Sequence, residues 1–335
     1  MRSHYCVRSA TGLALALAVA GIVHGNELPA ETAGATPAQI VDALNGVFGK
    51  HPGARAIHAK GVVFEGDFTP NPSAATLSRA PHLQKTPISV TVRFSDFAGI
   101  PAVPDNDPLA SPRGLAVRFH LPDGSTSDIV AHSFNGFPSA TAEDFRDLVI
   151  ALGHSGADVA KPTPLDTYLS THPAAKNFLT APKPAPVSYA TLPYFGVNTF
   201  KFTNASGHAT NGRYQFLPVS GAHYLSEEQA KNAPADYLRD ELRARLEQGP
   251  ARFKLVVQIA GQADKLDDPS ITWPDTRRTV ELGEIAISRS VADNDAANNT
   301  LLFMPNALPD GIAAADPMIA ARASAYAESY RRRHQ

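Results

Sequence analysis

Ile88-Ser89-Val90-Thr91-Val92-Arg93-Phe94-Ser95 is the stretch on which the fold turns. Ile88, Val90, Val92 and Phe94 alternate with Ser89, Thr91, Arg93 and Ser95, and a period of two gives a half-buried strand with one apolar and one polar face. The alternation returns at Leu115, Val117 and Phe119 against Ala116, Arg118 and His120. Pro122-Asp123-Gly124-Ser125 then supplies turn residues before a third run over 127–131. Three such runs in succession predict an antiparallel meander. Outward from it, residues 61–68, 196–203, 213–218, 251–259 and 279–287 are further strand candidates, and eight short strands predict a barrel or large sandwich.

Helical patterns are interleaved with the strands. Residues 36–50 carry Thr36 as N-cap, Pro37 at the first helical position and apolar Ile40, Val41, Leu44, Val47 and Phe48 at helical spacing. Residues 142–152, 226–247 with a Ser-x-x-Gln start, and 316–333 are also predicted helical, while 182–186 and 262–274 are loops. No internal repeat is present. The fold class is α+β: one domain in which helices flank a closed antiparallel sheet.

Composition agrees with one soluble globular domain or two small ones. The chain has 335 residues, 43% hydrophobic and 19% charged, so disorder is excluded as its main state. A formal charge of −2 provides no field for nucleic acid or an anionic membrane surface. Its 28 prolines, with charge below the usual ~25%, point to long ordered loops between strands rather than a helical bundle. At the N-terminus Arg2 and Arg8 precede an apolar run over 13–23, shorter than the ~20 residues a membrane helix needs. Residues 1–25 therefore read as a signal peptide cleaved near Gly25, leaving a single domain over 26–335 with no membrane anchor. For a bacterial source the location is periplasmic. The only cysteine, Cys6, leaves with the leader, which excludes a thiol nucleophile, a cysteine-ligated metal and a disulfide scaffold from the mature chain.

Two places far apart in sequence carry chemistry. In Arg55-Ala56-Ile57-His58-Ala59-Lys60-Gly61 a histidine precedes the first strand, as a structural residue or a catalytic one. In the C-terminal helix Asp316-Pro317 form an N-cap and N1 pair, and Arg322, Tyr326 and Arg333 project within a sector of roughly 40° on a 3.6-residue helix. A phenol between two guanidinium groups is favoured in its ionised form and then suits ferric haem as an axial ligand. The same Arg331-Arg332-Arg333 run also serves as a solvated helix end that complements the dipole. Other patterns point nowhere: Asp264, Asp267 and Asp268 read as a solvated turn, and neither a phosphate-binding glycine loop nor Gly-x-Ser-x-Gly occurs.

Taken together, Arg55-x-x-His58-Ala59-Lys60-Gly61, Val92-Arg93-Phe94-Ser95, Pro112-Arg113-Gly114-x-Ala116-Val117-Arg118-Phe119, Asp128-Ile129-Val130 and Arg322-x-x-x-Tyr326 resemble, in this order, the motifs of haem catalases. The chain resembles their short relatives, the catalase-related haem peroxidases, from about Val47 to Arg333, as a catalase core without the helical and flavodoxin-like domains of larger catalases. The resemblance implies a catalase-like barrel of about eight strands, a C-terminal haem-ligand helix and haem b as cofactor. It implies Tyr326 as the axial iron ligand with Arg322 keeping it ionised. His58 is implied as the distal acid/base oriented by Ser95, and Arg55, Arg93 and Arg333 as propionate partners. Phe137 and Phe145 are implied to line the haem cavity. The family's asparagine after the Asp-Ile-Val strand falls on His132 in ungapped register; Asn135, three residues later, is the candidate for its amide role, the alternatives being His132 or neither residue. On an ideal strand Arg55 and His58 would face opposite ways, so a bend is required between them.

The activity implied is a peroxidase that reduces hydrogen peroxide or organic hydroperoxides with an external small-molecule electron donor, with weak catalase activity. Rearrangement of fatty-acid hydroperoxides on the same scaffold is one alternative. A secreted β-barrel carrying haem or another ligand without turnover is the other. A homo-oligomer is compatible with each.

Overall fold

Residues 34–335 are described by the structure, a computed structural model. The leader with Arg2, Arg8 and Cys6, and the cleavage point at Gly25, lie outside the described residues. In chain order come α1 (Pro37–Phe48), β1 (Gly61–Pro70), the single turn α2 (Ala74–Leu77), β2 (Ile88–Ser95), β3 (Gly114–His120), β4 (Thr126–His132), α3 (Ala142–Gly153), α4 (Pro164–Thr171) and α5 (Pro173–Thr180). There follow β5 (Tyr194–Phe195), β6 (Phe200–Thr203), β7 (Ala209–Pro218), α6 (Glu227–Asn232), α7 (Tyr237–Gln248), β8 (Ala251–Ile259), β9 (Thr279–Ser290), α8 (Asn294–Thr300), β10 (Ile312–Ala314) and α9 (Met318–Arg333).

All strand pairings are antiparallel. β1 to β4 pair in sequence, β4 meets β5, β5 meets β7, β7 meets β8, β8 meets β9, and β9 returns to β1. Eight strands thus close a barrel, and β6 and β10 extend from the first residues of β7. Closure removes the exposed edges that a sheet of this size would otherwise present. Ile88, Val90, Val92 and Phe94 of β2 point into the barrel with Leu115, Val117 and Phe119 of β3. Phe94 stacks on Tyr189 with centroids 5.2 Å apart. Each such side chain contributes ~1.5–3 kcal/mol by leaving water.

A second, smaller core lies outside the barrel. Ile40, Val41, Leu44 and Phe48 of α1 pack with Val149 of α3 and Ala325 of α9. α1 begins as its sequence directs, with a Thr36–Gln39 capping box and Pro37 in the first turn. Among the described residues no helix is long and apolar enough to cross a membrane.

Some elements differ from expectation. The helix expected over 226–247 is two, α6 and α7, because Pro234 lacks an amide donor and disfavours helical backbone at Ala233. The strand expected over 196–203 is confined to β6, outside the ring. The two residues of β5 take its place between β4 and β7.

Candidate active site

The polar face of β2 does not end in solvent. Arg93 and Ser95 are only 4% and 3% exposed because α1, α3 and α9 cover this part of the barrel wall. Between wall and helices lies a cavity of about 180 Å³, lined by Arg55, His58, Arg93, Ser95, His132, Phe137, Phe145, Arg322, Tyr326 and Arg333 among mainly apolar neighbours. One water needs ~10–15 Å³ on that measure, so there is room for far more than a peroxide.

His58 enters from the turn before β1. It is the non-glycine residue with positive φ, 55°, among the described residues, a conformation that costs ~1–3 kcal/mol and persists only when its surroundings over-determine it. Here they do. Its backbone amide donates to Phe97 O at 2.8 Å, and Arg93 Nη2 donates to its carbonyl at 2.9 Å. This is the bend that brings Arg55 and His58 to one cavity. Nδ1 of the ring lies 3.1 Å from Ser95 Oγ, and both pack on Gly114, where a Cβ would stand 2.4 Å from Ser95 Oγ and 2.8 Å from Nδ1. Burial first, then the charges of Arg93, His132 and Arg322, push the His58 imidazole down to about 3, so the ring is neutral and its Nε2 is the nitrogen left free.

On α9, Arg322 Nη2 donates to Tyr326 Oη at 2.7 Å, and Nη1 donates to Asn198 Oδ1. Asn198 in turn donates to Asp316 Oδ2 at 2.7 Å, while Asp316 Oδ1 caps the helix at the Met318 amide, 2.9 Å away. The phenol oxygen is therefore held at the end of a chain of side chains anchored on a buried carboxylate.

Several arginines, Arg213 and Arg322 among them, have no acidic partner among the described residues, and three others of this kind meet around α8. Arg55, Arg93 and Arg333 have no carboxylate within ion-pair distance among the described residues. They donate instead to the Leu301 carbonyl, to Asn298 Oδ1 at 2.7 Å and to the Asn299 and Leu301 carbonyls, all on or just after α8. Burial, and in Arg55 and Arg93 the neighbouring guanidinium groups, holds each below its ordinary value. Gly61 makes room for Arg93, since a Cβ there would stand 2.3 Å from Nη2. Arg333 Nε and His132 Nε2 are buried without a partner among the described residues. Three cations without an anion at one end, a held phenol on one wall and a neutral imidazole on the other describe a site shaped for a large apolar group with acidic substituents.

A sequence model of the catalase family matches residues 41–335. The chain belongs to the catalase family. It is 38% identical to a catalase-related peroxidase of Mycolicibacterium paratuberculosis over 90% of this chain and 95% of that protein. It is 32% identical to a catalase-related peroxidase of Synechococcus elongatus, over 90% of this chain and 89% of that protein. Within the catalase family the chain thus stands with the catalase-related peroxidases, oxidoreductases that act on peroxide. A fungal catalase structure superposes with a TM-score of 0.75 over 85% of this chain and 60% of that one, at 19% identity, which establishes the barrel fold. Catalase-family proteins generally bind haem, and the residues here fit it: the orphaned Arg333 Nε and the unpaired arginines suit two propionates, and Tyr326 Oη suits iron.

The catalase-like motifs do not place every expected residue. Phe137 and Phe145 stack at the cavity with centroids 5.5 Å apart. Asn135 is not among the lining residues, and its carbonyl accepts from Thr272 Oγ1 at 3.1 Å. The loop after β4 carries it past the cavity, so a role for its amide there has no geometric support. His132, at the end of β4, occupies the wall. Sequence reasoning missed Asn198, Phe97, Phe178 and Asn298. Phe97 meets the His58 ring edge-on at 5.4 Å, and Phe178 of α5 meets His132 at 6.1 Å. None of these four lies in a periodic run or a motif, so nothing local marked them.

Proposed function

We propose that this catalase-family chain binds haem b in the cavity and acts as a peroxidase that reduces hydrogen peroxide and organic hydroperoxides with a small electron donor, with weak catalase activity, in the periplasm. The observation that carries this reading is the set of three arginines without carboxylate partners among the described residues, two of them buried, between Tyr326 with Arg322 on one wall and neutral His58 on the other. Haem, when bound, supplies a Lewis-acidic iron and a store of oxidising equivalents.

The protein's own residues do the rest. Arg55, Arg93 and Arg333 pair with the propionates, exchanging carbonyl partners for charged ones. Arg322, by donating to the Tyr326 oxygen, would hold it in place as the ligand for the iron. His58 Nε2 takes the proton from the inner peroxide oxygen and returns it to the outer one as the O–O bond breaks. Ser95 Oγ fixes the ring through Nδ1. Phe137, Phe145, Phe97 and Phe178 exclude water and offer an apolar surface to an organic substituent.

The test is an absorption spectrum of purified protein, repeated for Tyr326→Phe, with peroxide turnover measured with and without a reductant. A ferric tyrosinate-ligated haem spectrum lost in Tyr326→Phe, and turnover that requires the reductant, are expected. A protein that cannot be reconstituted with haem overturns the reading. Vigorous oxygen release without a donor removes the peroxidase part, and donor-free consumption of a lipid hydroperoxide replaces it with rearrangement.

A further inference from the structure

His132 is the second imidazole of the cavity, and the peroxidase mechanism above leaves it unused. Its Nδ1 faces the backbone amide of Phe134 at 3.4 Å. An amide N–H can only donate, so Nδ1 is the acceptor and carries no proton, and in the neutral ring the proton sits on Nε2. That Nε2–H is buried and has no acceptor among the described residues. The ring is held in place by Phe137 at 6.4 Å and by Phe178 edge-on at 6.1 Å. His132 also lies on the His58 side of the cavity: Phe178, edge-on to its ring, packs on Phe97, which meets the His58 ring edge-on.

We infer that Nε2–H of His132 is a fixed hydrogen-bond donor to the peroxide or anion bound beside His58, and that His132 transfers no proton. The inference rests on the haem peroxidase reading. A lone pair is not available at Nε2, so His132 cannot act as a base there. Loss of the Nε2 proton would leave an imidazolate in an apolar pocket, so it does not act as an acid either. The two imidazoles divide the work: His58 moves the proton, and His132 holds the oxygen that receives it. A buried donor left unpaired is unfavourable, and a ligand that only accepts hydrogen bonds removes the deficit.

Fluoride is such a ligand for ferric haem, and its dissociation constant can be read optically without turnover. His132→Leu and His132→Met, two non-donors of comparable size, are expected to weaken fluoride binding about tenfold, whereas His132→Asn, which keeps a donor, stays within a few-fold of wild type. The kcat/KM for peroxide should follow the same order. Fluoride binding to His132→Leu or His132→Met at wild-type strength and haem content overturns the inference. Loss of haem from both non-donor variants overturns it too, because His132 would then be a structural residue. A wild-type protein that shows no haem spectrum instead refutes the underlying reading.

Discussion

Gly114→Ala adds one methyl group at the place where the site has least room. Gly114 pairs with Ser95 in the β2–β3 register, and the space beside its Cα is filled by Ser95 Oγ and the edge of the His58 ring. The new Cβ would stand 2.4 Å from Ser95 Oγ, 2.8 Å from His58 Nδ1 and 2.9 Å from Cε1. Ordinary contact begins at about 3.4 Å, so Ser95 Oγ must retreat by roughly 1 Å and the ring by about 0.6 Å. Neither can do so while keeping the 3.1 Å bond between them. The ring cannot follow its backbone, because φ of 55° is fixed by Phe97 O and Arg93. A misplacement near 1 Å costs a catalytic group ~10²-fold, so kcat/KM for hydroperoxide is expected to fall by about that factor. Overpacking lowers stability by ~1–3 kcal/mol, while haem content stays near wild type. The assay is steady-state kinetics beside the haem-to-protein ratio and urea unfolding. Gly46→Ala is the control: Gly46 lies in α1 with no heavy atom within 4 Å of its added Cβ, and the change should leave activity intact and add ~0.5–1 kcal/mol. Wild-type kcat/KM in Gly114→Ala would refute the placement of His58 and Ser95 as the proton-handling pair.

Arg55→Gln removes a half-buried cation that Arg93 and Arg333 repel while keeping a donor for the Leu301 carbonyl. It should raise the melting temperature of the haem-free protein and quicken haem loss about tenfold, measured by transfer to a haem scavenger; a fall in the haem-free melting temperature contradicts the unpaired-cation argument. His82 lies within the barrel between Phe68 and Phe119, with neither ring nitrogen partnered among the described residues, and burial pushes it down to about 3. From its ordinary 6.5 down to about 3 the unfolded chain takes up a proton that the native protein refuses, so this residue's contribution is lost as pH falls. His82→Leu should therefore gain about 2 kcal/mol relative to wild type between pH 7 and pH 5 in urea unfolding, at ~1.4 kcal/mol per pH unit below 6.5. A difference that does not vary with pH would sink the assignment.

The barrel was largely legible because its strands face two different media. Where one face meets the core and the other does not, side chains alternate, as in β2 and β3. β5 could not be read: two residues have no period, and Tyr194–Phe195 belongs to the ring only because β4 and β7 lie on either side of it. α4 is different. Thr163, Pro164 and Asp166 form a capping box with proline in the first turn, a signal present in the sequence, but no residue of α4 is buried and so no apolar stripe drew attention to it. The break at Pro234 was also written in the chain, as a proline that disfavours helical backbone at the residue before it.

The site was legible as residue identities and opaque as pairings. The formal charge of −2 treats all arginines alike, yet the structure divides them. Arg113 pairs with Asp96 at 2.5 Å, Arg118 with Asp128 at 2.6 Å, Arg277 with Asp264 at 2.8 Å and Arg331 with Glu328 at 2.7 Å. Among the described residues Arg55, Arg93, Arg322 and Arg333 pair with no carboxylate, as does Arg213 elsewhere, and these four line one cavity. A cation held without an anion out of bulk water is expensive, and a fold that places four such arginines in one cavity, Arg93 and Arg333 of them buried, is under a constraint other than its own stability. Periodicity cannot reveal that division, because it depends on which acidic residues the barrel and α9 carry elsewhere. His132 shows the same limit at the scale of one hydrogen bond. The choice between His132 and Asn135 could not be made from spacing. The structure shows only their places: His132, at the end of β4, lines the cavity, and the loop that follows carries Asn135 out of the lining.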